Sequence, residues 1–139
     1  MRTVLILLAA TMVAAPALAA GPVKMATKMS GAAEIPGPGD PDGSGTAGVT
    51  VDAAKGQVCY TLSVDGIDAA TMAHIHKGAT GVAGPPVVTL DAPANGTSEG
   101  CKPVAADAIA ALLANPADYY VNVHNAAFPK GAVRGQLGK

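Results

Sequence analysis

The sequence predicts a mainly β domain, an antiparallel Greek-key β-sandwich or barrel with one short crossover helix. Three observations carry this reading. Seven short segments alternate apolar and polar residues with the two-residue period of a strand. Turn formers separate those segments at short intervals, from a pool of 17 glycines and 11 prolines in 139 residues. Only one stretch has helical spacing, and no internal repeat or linker divides the chain.

The first nineteen residues are excluded from the fold. Met1-Arg2-Thr3 opens the chain, Val4 to Ala15 is an apolar run broken only by Thr11, and Pro16 precedes Ala17-Leu18-Ala19. This pattern is that of a secretory signal cut before Ala20, and the run is too short for a membrane span. Residues 20–139 then form one secreted domain, periplasmic or extracellular. Without Arg2 the nine basic residues fall to eight, against ten acidic ones, a net of −2 with histidines neutral. No basic run exists, so nucleic acid is excluded as a partner.

Val23 to Glu34 reads as the first strand, ended by the turn-rich run Pro36 to Gly43. Within that run Asp40, Asp42, Ser44 and Gly45 match the early positions of a calcium loop. The closing position is Val51, where a bidentate Glu is required, so an Asx-type turn is expected instead. Gly45 to Ala53 and Gly56 to Asp65 form a hairpin, with Ala47, Val49 and Val51 facing the core beside Val58, Tyr60, Leu62 and Val64. Thr71 to His76 and Pro86 to Leu90 are the next strands, and Asp91 to Cys101 reads as a polar loop.

Pro103 is expected to open the helix, with Ile109, Leu112 and Leu113 at helical spacing and Asn115-Pro116 as the stop. Strands over Tyr119 to His124 and Gly131 to Leu137 complete the chain. With no tryptophan, one phenylalanine and three tyrosines, the core is built of small aliphatic side chains. Such a core gains from a covalent staple. Cys59 and Cys101, an even pair in a secreted chain, read as a disulfide rather than metal ligands.

All three histidines lie on strand segments. In Ala73-His74-Ile75-His76 the alternation puts His74 and His76 on one face. In Tyr119 to His124, Tyr120, Asn122 and His124 form a polar row opposite Tyr119, Val121 and Val123. If the two polar rows meet, three imidazoles share one side of a sheet. Imidazole suits copper and zinc, and three such ligands leave an open coordination position. A common ion would need one nitrogen of each ring within about 2.0–2.1 Å, with the remaining nitrogens held by polar neighbours. Tyr120, Asn122, Arg134 and Gln136, with loop carbonyls of Gly78 to Gly84, are the candidates to surround them. The competing reading makes all of these fold-stabilising polar residues, with Arg134 in an ion pair. No Ser-His-Asp spacing, paired carboxylates or phosphate loop is present, which leaves hydrolytic and phosphoryl chemistry unsupported.

Ala73-His74-Ile75-His76-Lys77-Gly78, Gly81 to Val88, Tyr120 to Asn125 and Pro129 to Leu137 resemble the chordin (CHRD) domain. Ser30 to Pro36 is similar to that domain's opening Gly-x-x-Glu-x-Pro, and Cys59 and Cys101 match the cysteine pair of its bacterial single-domain members. The resemblance implies a secreted, immunoglobulin-like β-barrel or sandwich and says little about activity, because the family has no general biochemical function. A fainter similarity, to copper-zinc superoxide dismutases, rests on His74, His76, His124 and Arg134 in that order. The departures are a missing bridging histidine and a missing zinc cluster, and likeness of fold does not transfer activity.

The expectation is a non-enzymatic secreted binding module holding copper, with zinc as the alternative, through His74, His76 and His124. Its other partner would be an extracellular or periplasmic protein or glycan. Two further readings stand beside it: a structural or adhesive module with purely structural histidines, and a superoxide-dismutase-like copper enzyme.

Overall fold

The structure, a computed structural model, describes residues 20–138, so the signal peptide expected at 1–19 lies outside the described residues. Eight strands follow in order: β1 (Val23–Ser30), β2 (Ser44–Asp52), β3 (Gln57–Asp65), β4 (Ala70–Lys77), β5 (Pro86–Leu90), β6 (Thr97–Pro103), β7 (Tyr119–Asn125) and β8 (Val133–Gln136). One helix, α1 (Ala106–Ala114), crosses from β6 to β7. Every strand pair is antiparallel, and the sheet order is β5-β4-β7-β8-β1-β2-β3-β6. The sheet curls until its edge strands β5 and β6 approach one another, which nearly closes a barrel-like sandwich.

Three expectations are corrected. The segment read as a polar loop, 91–101, contains β6 in its second half. No residue of β6 is buried, so the strand carries no apolar alternation. Its partner β3 pins it in place, with Cys59 opposite Cys101 and a disulfide between them. Pro103 ends β6 instead of opening the helix, which starts at Ala106. The first strand stops at Ser30, and Gly31–Ala33 turns in a short 3-10 helix before Glu34.

Alternation set the rest. Ala47, Val49 and Val51 of β2 and Val58, Tyr60 and Leu62 of β3 are all at most 3% exposed. Ala73 and Ile75 of β4 face Val123 and Val121 of β7 in register, and all four are fully buried. Ile109 and Leu112 of α1 cover one end of this core. Because Ala73/Val123 and Ile75/Val121 are locked inside, the residues between them must point outward. The opposite face of β4-β7-β8 therefore carries Met72, His74, His76, Tyr120, Asn122, His124, Arg134 and Gln136.

Apart from its Met72 end, that outward face is largely closed to water. The chain between β4 and β5 folds across it, and so does the segment joining β1 to β2. Asp40 N donates to Ala132 O at 2.9 Å and Gly39 N to Gly31 O at 2.9 Å, which fastens the second cover. Within it Asp42 N donates to Asp40 Oδ1 at 3.1 Å, the expected Asx turn. Every residue of β7 is consequently buried, on both faces.

A candidate three-histidine metal centre

The register brings the two histidine strands together. His74 lies opposite Asn122, His76 opposite Tyr120, and His124 opposite Met72, so His74 and His124 are diagonal neighbours. His74 Nδ1 stands 3.2 Å from His124 Nε2, and one nitrogen of each of the three rings lies within 4.8 Å of the others. Among the described residues this is the one cluster of three or more groups from His, Cys, Asp and Glu with such spacing. At metal–nitrogen bonds of about 2.0–2.1 Å a tetrahedral pair of nitrogens spans about 3.4 Å. The His74–His124 pair is already at that span, and the widest pair has to close by roughly 1.5 Å.

Two tautomers are fixed by carbonyl groups, which can only accept. His76 Nδ1–H donates to Gly84 O at 2.7 Å, and His124 Nδ1–H donates to Pro129 O at 3.1 Å. Each ring, when neutral, therefore presents a lone pair at Nε2. In the metal-free protein His124 Nε2 accepts the Nδ1–H of His74. His76 Nε2 is buried and has no hydrogen-bond partner. Orphaned buried polar atoms are uncommon and call for an account. A bound cation would supply one.

The rings are also kept neutral. Burial lowers the pKa of His74 to about 4, with the His124 and His76 rings adding to the effect. His76 and His124 are lowered chiefly by burial as well, though the Gly84 and Pro129 carbonyls oppose it. Protonation of the three rings therefore sets in below the unperturbed value of about 6.5.

Around the histidines the polar row is held by backbone. Arg134, 2% exposed, donates from Nη1 to Val82 O at 2.9 Å and from Nη2 to Ala79 O at 3.0 Å. Its guanidinium lies 3.5 Å from the Tyr120 ring centroid, and Tyr120 in turn stacks on His76 with centroids 4.8 Å apart. No carboxylate of the described residues is within ion-pair distance of Arg134, so it clamps the loop after β4 instead of forming the expected ion pair. Gln136 Nε2 reaches the carbonyls of Gly78, Ala117 and Tyr119 at 2.7, 2.7 and 2.9 Å. Tyr120 Oη accepts from Gly84 N at 3.2 Å.

Sequence reasoning passed over Glu34. Glu34 is 3% exposed, and Cβ atoms on Gly39 and Gly131 would collide with its side chain. Asn122 interacts with both Glu34 and His76, and the buried atoms Glu34 Oε1 and Asn122 Oδ1 lack hydrogen-bond partners. Burial pushes the Glu34 pKa up to about 7 against the nearby positive charge of Arg134. The Gly-x-x-Glu-x-Pro pattern carried the signal, since a glutamate framed by glycine and proline sits in a tight turn.

A family model described as CHRD domain matches residues 25–137. No curated protein and no solved structure matches the chain.

Proposed function

The chain belongs to the CHRD domain family, and from that premise we propose that it is a secreted, non-enzymatic module that binds copper through His74, His76 and His124. The disulfide fits an oxidising compartment, and no helix of the described residues is long and apolar enough to cross a membrane.

The observation that carries this reading is the buried, unpartnered Nε2 of His76 beside two further imidazole nitrogens. A fold-stabilising histidine would have both nitrogens satisfied, because an orphaned buried acceptor costs about 1–3 kcal/mol. Here the chain holds two rings by their Nδ1–H and leaves His124 Nε2 facing the proton of His74 and His76 Nε2 facing only the Asn122 side chain. An ion would take the place of that proton, and His74 would then carry its hydrogen on Nε2. The donor set fits copper, with zinc as the second ion, since three neutral imidazoles supply borderline nitrogen ligands and no carboxylate. The described residues show no second cluster for a partner metal, so a single-ion centre is favoured over a two-metal enzyme.

Isothermal titration of Cu(II) and Zn(II) into the metal-free protein tests the proposal, with His76→Ala and His124→Ala as comparisons. One tight equivalent in the wild type and a loss of at least 100-fold in either variant is the expected result. Equal copper affinity in wild type and in the triple alanine variant would make the histidines structural.

A further inference from the structure

We propose that Met72 is a fourth, soft ligand of the three-histidine centre and that it makes the site a holder of copper in the Cu(I) state. The inference rests on the metal-binding reading above. It starts from Met72 being 46% exposed, one of three exposed large apolar side chains among the described residues. The other described methionines, Met25 and Met29, are buried in the core at 4% and 3%. Exposure is thus particular to position 72.

Its place on the strand is equally particular. Met72 points to the same face as His74 and His76, two residues before His74, and is the register partner of His124. Directly opposed residues hold their Cβ atoms about 4.5–5.5 Å apart, within the reach of a methionine side chain. The bulge between Ala70 and Met72 interrupts the ladder beside it. Neighbouring Thr71 is also exposed, and its hydroxyl donates to His124 O at 3.4 Å.

The centre is closed on its other sides. His76 is sealed by Gly84 and stacked on Tyr120, and His124 is tied to Pro129. His74 is the partly exposed ring of the three, so the opening lies at the His74 and Met72 end. An ion entering there passes the thioether first. Thioether sulfur is a soft donor that favours Cu(I) over Cu(II) and Zn(II), and it carries no proton to lose. Unbranched and flexible, Met72 can swing its sulfur toward an ion held by the rings.

The test uses the full mature protein and two variants, Met72→Leu and His76→Ala. Leucine keeps the apolar volume and removes only the sulfur. Cu(I) affinity is read anaerobically, with ascorbate, by competition with bicinchoninate, and Cu(II) and Zn(II) affinities by titration. Met72→Leu should weaken Cu(I) at least 10-fold while Cu(II) and Zn(II) change less than threefold. X-ray absorption of the Cu(I) protein should show one sulfur neighbour that disappears in Met72→Leu. Unchanged Cu(I) affinity in Met72→Leu, or a nitrogen-only Cu(I) shell in the wild type, overturns the assignment of Met72. If instead His76→Ala binds every ion as the wild type does, the three-histidine reading itself has failed, and this inference falls with it.

Discussion

Replacing Gly84 by Ala isolates the contact that orients His76. A Cβ at Gly84 would overlap the carbonyl oxygen of Lys77, and the overlap is with backbone, so the loop itself must move. That movement takes three hydrogen bonds with it: His76 Nδ1 to Gly84 O at 2.7 Å, Gly84 N to Tyr120 Oη at 3.2 Å, and Lys77 N to Pro85 O at 3.0 Å. At a net of about 1 kcal/mol each, Gly84→Ala should cost about 3 kcal/mol of stability. Released from Gly84, His76 no longer keeps its proton on Nδ1, and loss of such an outer hydrogen bond lowers metal affinity about 10–100-fold.

Urea denaturation measures the first effect, and long-range ¹⁵N–¹H NMR of the His76 ring reads the tautomer without any metal. Gly81→Ala is the control. Its Cβ meets open space, although a φ of 79° makes alanine strained there, so it perturbs the loop tip without touching His76. Should Gly84→Ala keep the Nδ1–H tautomer and unfold within about 0.5 kcal/mol of the wild type, the argument that this carbonyl sets the ring would be refuted.

The Cys59–Cys101 disulfide joins residues 42 apart, so its removal as a double serine variant should cost about 4 kcal/mol by chain entropy. Urea midpoints measure it, and a loss under 1 kcal/mol would mean that β3–β6 pairing holds unaided. The metal-free protein should also lose stability on acidification. His74 is lowered from 6.5 to about 4, so its contribution is complete above about pH 6.5 and is lost as pH falls through about 4. Glu34 acts in the opposite sense. Raised from 4.5 to about 7, it contributes fully below about pH 4.5, and that contribution is lost as pH rises through about 7. Glu34→Gln should therefore gain on the wild type between pH 4.5 and 8, by at most about 3 kcal/mol. Parallel pH profiles for the two proteins would show that Glu34 ionises freely in the fold.

What the sequence made legible was whatever a period of two can encode. Ala73 and Ile75, Val121 and Val123, and the rows of β2 and β3 declared which faces were inside, and the polar rows followed from them. Strand β6 was illegible for the same reason. Thr97 to Pro103 buries nothing, and only its pairing with β3 makes it a strand. The meeting of His124 with His74 was likewise not encoded locally. Alternation gives the face, while the offset along β7 is set by how Val121 and Val123 seat against Ile75 and Ala73 some 50 residues earlier. Pro129 as the partner of His124, and the burial of Glu34, depend on loops whose paths no periodicity describes.

The glycines connect these points. A polar row on the outside of a sheet ordinarily meets water, and histidines there would keep unperturbed pKa values and free rotation. In this chain backbone lies directly on that row, which is possible only where the covering segments lack side chains. Gly84 passes against Lys77, Gly78 approaches the Tyr120 ring, and Gly39 and Gly131 close over Glu34. At Gly78 and Gly84 the missing Cβ lets a carbonyl come within hydrogen-bond distance of Gln136 and His76 below. The result is a layer dehydrated enough to keep three imidazoles neutral and ordered enough to aim two of them. The glycine-rich run after His76 is in this sense part of the cluster: through Gly84 it decides which nitrogen of His76 keeps a free lone pair.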